Sequence, residues 1–182
     1  MGHAVDDRLA EADGRLIVMS TKTFSRDITI TRIFDAPREL VFEAWTNPKH
    51  LAQWFGPAAF TIPECTVDAR NGGKYHLVMR ANNEVAAMIG RDHPCGGDYI
   101  EIVKPSKIVF TNDGLDADGS VVLKGRSTVT FEDIGGGKTK MVLVSHAEGT
   151  DPRVEFMLAG MEQGWSESFD KLAALFVNGG CK

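Results

Sequence analysis

Residues 151 to 177 read DPRVEFMLAGMEQGWSESFDKLAALFV, and this stretch decides how the chain folds. Val154, Met157, Leu158, Met161, Trp165, Phe169, Leu172, Leu175 and Phe176 recur every three or four positions, the period of a helix with one apolar face. Asp151 suits the N-cap and Pro152 the first helical position, while Asn178-Gly179-Gly180 supplies a stop. At 1.5 Å per residue the run predicts a helix of roughly 39 Å, long enough to cross a small domain.

Upstream, residues 60 to 146 read as strand and turn throughout. Val121, Leu123, Gly125, Ser127, Val129 and Phe131 alternate with polar neighbours, and Gly135-Gly136-Gly137 turns the chain into a strand over 138–146. Tyr75, Leu77 and Met79 share one strand face, with Lys74, His76 and Arg80 on the other. Asn71-Gly72-Gly73 marks the hairpin before them. Ala86 to Ile89, Tyr99 to Val103 and Lys107 to Thr111 are further strands, and Arg91 to Gly97 reads as an irregular loop. Strands joined by hairpins predict an antiparallel meander.

Earlier still, Ile28 and Ile30 alternate with Thr29 and Thr31 in a first long strand. Pro37 and Pro48 each open a short helix, the first carrying Leu40, Val41, Ala44 and Trp45 and the second Leu51, Trp54 and Phe55. Residues 1–25 read as an N-terminal arm in which Leu16 to Met19 allows an extra edge strand, and residues 26–178 as a single domain.

This order gives an α+β class: a curved antiparallel sheet around a long C-terminal helix, with two short helices after the first long strand. A sheet with one apolar face must be covered, and the final helix is the only element long enough to do it. Gly160, Gly164 and Ser168 form a ridge poor in side chains along that helix. Glycine in a helix costs about 1 kcal/mol relative to alanine, so the ridge points to close approach of backbone or ligand. Beside it, Met157, Met161 and Trp165 suit an apolar cavity of adaptable shape.

The 182 residues are 43% hydrophobic and 25% charged, which fits one soluble domain with a sizeable core. A net charge of −5 without a Lys/Arg run argues against nucleic acid as a partner. No apolar run approaches the roughly 20 residues of a membrane span. Three scattered cysteines do not make a disulfide framework, and residues 1–15 lack a secretion signal, so a cytoplasmic location is expected.

The run ITRIFDAPRELVFEAWTNPKHLAQWFGP, Ile30 to Pro57, resembles the opening signature of the START-like SRPBCC superfamily. More narrowly it is similar to the bacterial group named after the homologue of the heat-shock-protein-90 ATPase activator. Asp68 to Gly73, Tyr99 to Val103 and Gly160 to Trp165 are similar to later motifs of that group. The resemblance spans residues 26–177 and implies a helix-grip architecture with a cavity between the long helix and the sheet. It implies no single activity, since relatives include lipid and polyketide carriers, aromatase/cyclases and a toxin-resistance protein. The chain departs from the pattern in its first 25 residues and in the Arg91–Gly97 segment.

Candidate cavity residues are Trp54, Tyr75, Met79, Met88, Met157, Met161 and Trp165. Each also fits plain core packing, which is the commoner fate of such side chains. Trp54 and Tyr75 would orient a ligand held mainly by apolar burial. No metal site is expected, because Asp92, His93 and Cys95 lack a second ligand pair, and no cofactor is implied. His146 lacks an evident orienting partner for a catalytic base, and no nucleophile motif occurs. The expected partner is an apolar small molecule or lipid-like ligand, with a homodimer left open. Two other readings stand beside this one. One is an enzyme, a cyclase, dehydratase or hydrolase on a polyketide-like substrate. The other is a chaperone ATPase cofactor, less favoured because only 25 residues precede the domain where the eukaryotic activator carries a further one.

Overall fold

The computed structural model describes residues 22–82 and 92–179 in full, and residues 7–12 and 15–20 as backbone. β1 (Asp7–Ala12) and β2 (Arg15–Ser20) pair with each other as an antiparallel hairpin, a sheet distinct from the main one. The Leu16 to Met19 segment lies in β2.

β3 (Phe24–Phe34) opens the main sheet, with Ile28, Ile30 and Phe34 turned to the core. α1 (Arg38–Thr46) follows Pro37, and α2 (Pro48–Trp54) is capped by the Asn47 side chain, which accepts from the Lys49 N–H at 3.0 Å. Then come β4 (Phe60–Val67), β5 (Lys74–Ala81), β6 (Asp92–Val103), β7 (Lys107–Thr111), β8 (Asp113–Leu115), β9 (Val121–Asp133) and β10 (Thr139–Gly149). The strands run β3-β10-β9-β7-β6-β5-β4, all antiparallel, and β8 bridges β6 and β9. This is the helix-grip α+β architecture expected from the order of elements.

Two expectations change. Residues 92–97 are not a loop but the first half of β6, where Leu77 pairs with Cys95 and Tyr75 with Gly97. Gly96 and Gly97 fall in the stretch expected as an irregular loop, yet they serve close packing within the strand. A Cβ on Gly96 would stand 2.6 Å from the Tyr75 carbonyl oxygen, and one on Gly97 would collide with the Thr111 carbonyl. The strand expected over Ala86 to Ile89 lies outside the described residues.

The second change concerns the C-terminal helix. It is two helices, α3 (Arg153–Ala159) and α4 (Met161–Val177), broken at Gly160. Alone, α4 spans about 26 Å. The break follows from packing. Val154 and Leu158 of α3 bury against Ala147 in a small cluster, whereas Trp165, Phe169 and Leu172 of α4 join the main core. Arg26 on β3 closes the end of α3, donating to the Leu158 and Ala159 carbonyls at 2.9 and 3.0 Å and pairing with Glu162 at 3.1 Å. At the other end the Asp151 carboxylate accepts from the Arg153 N–H at 2.8 Å, the cap expected from sequence.

The main core is densely aromatic. Trp45 stacks on Trp165 at 6.0 Å and 19°, and packs against Trp54, Phe110, Phe131 and Phe169. The space gripped between sheet and α4 is therefore filled over its inner half. A void of only about 10 Å³ remains there, among Trp45, Leu51, Phe55, Tyr75, Tyr99 and Phe110.

Candidate functional site

The outer half of the grip stays open as a cleft of about 220 Å³. On α4 its wall is Met161, Gly164, Trp165 and Ser168, the i, i+3, i+4, i+7 face of one helix. Tyr75 and Met79 of β5, Cys95 of β6 and Leu123 of β9 form the floor. Met157 of α3 and the segment Phe55-Gly56-Pro57 close the sides. Asn112, Asp113 and Gly114 contribute the polar end.

Each wall has a local cause. Gly160 and Gly164 leave room above the sheet; a Cβ on Gly160 would approach nothing closer than 3.9 Å, whereas one on Gly164 would press Pro57 at 3.3 Å. Gly56 takes a φ of +83°, a conformation glycine adopts freely, and turns the chain beneath Met79. The floor residues alternate inward on paired strands, so Tyr75, Leu77 and Met79 face α4 as their spacing predicts.

Five of the seven sequence candidates meet here: Tyr75, Met79, Met157, Met161 and Trp165. Trp54 does not. It is fully buried beneath the cleft, its indole N–H donating to the Ala44 carbonyl at 2.9 Å, so it ties α2 to α1. Met88 lies outside the described residues. Sequence reasoning missed Asn112, Asp113, Gly114 and Leu123 at the cleft. β8 has only three residues, too few for alternation to show.

Most polar groups along the cleft are already engaged. The Tyr75 hydroxyl donates to the Thr111 carbonyl at 2.9 Å, and burial, with Cys95, Tyr99 and Asp113 nearby, pushes its phenol well above the usual range. Burial, with a contribution from Cys65, pushes the Cys95 thiol up to about 12. The Ser168 hydroxyl donates to the Gly164 carbonyl at 2.7 Å, within its own helix. Asn112 Oδ1 accepts from Ser127, whose hydroxyl also meets Ser145 at 2.7 Å. Asp113 Oδ1 accepts a long bond, 3.3 Å, from the Gly125 N–H.

His146 sits on the exposed outer face of β10, with Nδ1 2.8 Å from Asp27 and Nε2 3.7 Å from Glu148. It thus has the carboxylate partner its sequence context did not reveal, but it does not line the cleft. His93 packs edge-on against Phe60. Among the described residues no helix is long and apolar enough to cross a membrane.

Residues 35–177 match the family model described as Activator of Hsp90 ATPase homolog 1-like protein. Solved structures agree over nearly the whole of each relative. Protein CV1439 from Chromobacterium violaceum is 29% identical, with a TM-score of 0.64, covering 82% of this chain and 96% of that one. A protein from Rhizobium leguminosarum is 25% identical, with a TM-score of 0.71 and coverage of 86% and 97%. The AHSA1 protein SPO3351 from Silicibacter pomeroyi is also 25% identical, with a TM-score of 0.67 and coverage of 84% and 98%. No curated protein matches this chain. With fold, element order and sequence motifs in agreement over residues 35–177, the chain belongs to the family of Activator of Hsp90 ATPase homolog 1-like proteins, within the SRPBCC type.

Proposed function

We propose that the protein binds a compact apolar or aromatic molecule in the cleft between α4 and the sheet. The observation that carries this reading is the lining: three methionines, Leu123, Phe55 and Trp165 around about 220 Å³ of open space. An apolar cavity of about 150 Å³ accepts benzene, and drug-sized ligands occupy about 300 Å³ or more. The cleft therefore suits a one- or two-ring body. Burial of the ligand's apolar area supplies the affinity, at about 25 cal/mol per Å² before association costs. The three thioethers let the walls adapt to shape.

An enzymatic reading has less support. Tyr75 is engaged by a carbonyl and the Cys95 thiol is held protonated, which leaves Asp113 without a second group to share acid–base work. A chaperone-cofactor reading draws on the family name alone.

The test is titration with an environment-sensitive apolar dye, followed by calorimetry. A saturable one-to-one signal is expected, weakened about tenfold or more by Met161→Trp, which fills the cleft, with circular dichroism unchanged. A dye that never saturates on the folded protein overturns the proposal.

A further inference from the structure

Given the apolar cleft as the binding site, its charge distribution narrows the ligand class. Asp113 is the only acidic side chain lining the cleft, and no basic side chain lines it among the described residues. It is half-buried, its single hydrogen bond is the long one from the Gly125 N–H, and no cation among the described residues stands within ion-pair distance of it. Two neighbouring carboxylates, on or just beyond strands β6 and β8, are paired. Asp116, three residues on, meets Arg153 at 2.9 Å, and Arg80 holds Asp92 at 2.7 Å. A carboxylate at the edge of an apolar cleft, with no cationic partner among the described residues, can accept one from a ligand.

The groups around it reinforce the sign. Trp165, Tyr75 and Phe55 offer aromatic rings on the walls, which attract a cation and not an anion. Lys171 is the basic residue of α4; it does not line the cleft, and its ammonium is held behind the side wall by the Phe55 and Pro57 carbonyls at 3.2 and 3.4 Å, beside Glu167. The positive end of the α4 dipole abuts the negative end of α3, and Glu162 sits in its first turn, so the helix junction offers little to an anion.

We infer that the cleft takes a compact organic cation, a one- or two-ring aromatic amine whose ring lies against Met161 and Trp165 and whose ammonium completes the ion pair with Asp113. Fatty acids and other carboxylate ligands are selected against by the same group.

Three matched probes test this by calorimetry on the full chain: naphthalenemethylamine, naphthalenemethanol and naphthoate. The amine should bind about tenfold tighter than the alcohol, the scale of one charge-assisted contact, and naphthoate weakest. Asp113→Asn should bring amine and alcohol within about threefold of each other. The wild-type ranking decides by itself if that variant fails to fold. Equal affinities for the three probes, or tighter naphthoate, overturn the charge assignment and leave an apolar site standing. Binding by none of the three overturns the apolar site as well, and the charge assignment with it.

Discussion

Arg26 on the first strand of the main sheet and Leu158 at the end of α3 are 132 residues apart, yet the guanidinium donates to the Leu158 carbonyl at 2.9 Å. Helix C-termini leave carbonyls without intrahelical partners, and here a side chain from the sheet satisfies two of them. The same guanidinium reaches Glu162 at the start of α4 and so spans the break at Gly160. Arg26→Ala should cost about 1 kcal/mol by urea denaturation and speed amide exchange in residues 153–160 more than elsewhere. Uniform exchange along α3 and α4 in the variant would sink this account.

Gly160 can be tested separately. Its φ of −85° suits any residue, and a Cβ would have open space around it. Gly160→Ala should therefore stabilise the fold by about 0.5–1 kcal/mol, through helix propensity and a less flexible unfolded chain. A lower melting temperature would show that the break needs glycine for a reason other than space.

Trp54→Phe distinguishes core from cleft. It removes the donor to the buried Ala44 carbonyl and should destabilise by about 1–3 kcal/mol. Dye affinity measured below the melting transition should stay the same, because Trp54 does not line the cleft. A tenfold loss of affinity in a folded variant would return Trp54 to the binding surface.

The pH response should centre on His146. Its hydrogen bond to Asp27 holds the imidazole above the ordinary histidine range, against a smaller desolvation effect, with Glu148 adding in the same direction. A raised folded-state value favours the protonated fold. That contribution is complete below the unfolded value of about 6.5 and disappears as pH rises through the folded value. Asp27→Asn should lower the His146 titration midpoint by NMR and reduce stability at about pH 6, with little effect at about pH 9. The side chain is 45% exposed and the effect correspondingly small. An unchanged midpoint would refute the pairing.

Cys95 should resist alkylation in the native protein. With its thiol pushed up to about 12 by burial, the reactive thiolate is scarce at neutral pH. Peptide-resolved mass spectrometry after iodoacetamide treatment should find Cys95 unmodified until denaturant is added. Rapid native labelling would mean that the cleft floor opens freely.

Much of this arrangement could be read from residue spacing. The alternation on β3, β5 and β9 placed Ile28, Tyr75, Met79 and Val129 on the inner face, and the 3.6-residue period placed Met157, Met161 and Trp165 toward the sheet. Four things were hidden, each for a physical reason. Gly96 and Gly97 made the 91–97 stretch read as an irregular loop, but β6 needs them because the neighbouring backbones leave no room for a Cβ. The helix break at Gly160 follows from the packing of α3 and α4 into different clusters and is bridged by Arg26, 134 residues earlier, and no local pattern encodes those contacts. Trp54 and Trp165 are both apolar and both buried, and only the bond of Trp54 to the Ala44 carbonyl marks it as lying beneath the cleft while Trp165 lines it. Asp113 is legible only in three dimensions, because the fold alone brings β8 to the end of the apolar cleft.

The division of the interior into two clusters has a consequence for traffic. Met157 belongs to a short helix held by the Arg26 guanidinium and by the small cluster of Val154, Leu158 and Ala147 with Phe24 and Leu123, beside the aromatic mass around Trp45. Local openings cost only the burial they disrupt. Opening these seven residues disrupts the smaller cluster and the Arg26 bonds but leaves the aromatic mass packed, which makes α3 the least costly element to open beside the cleft.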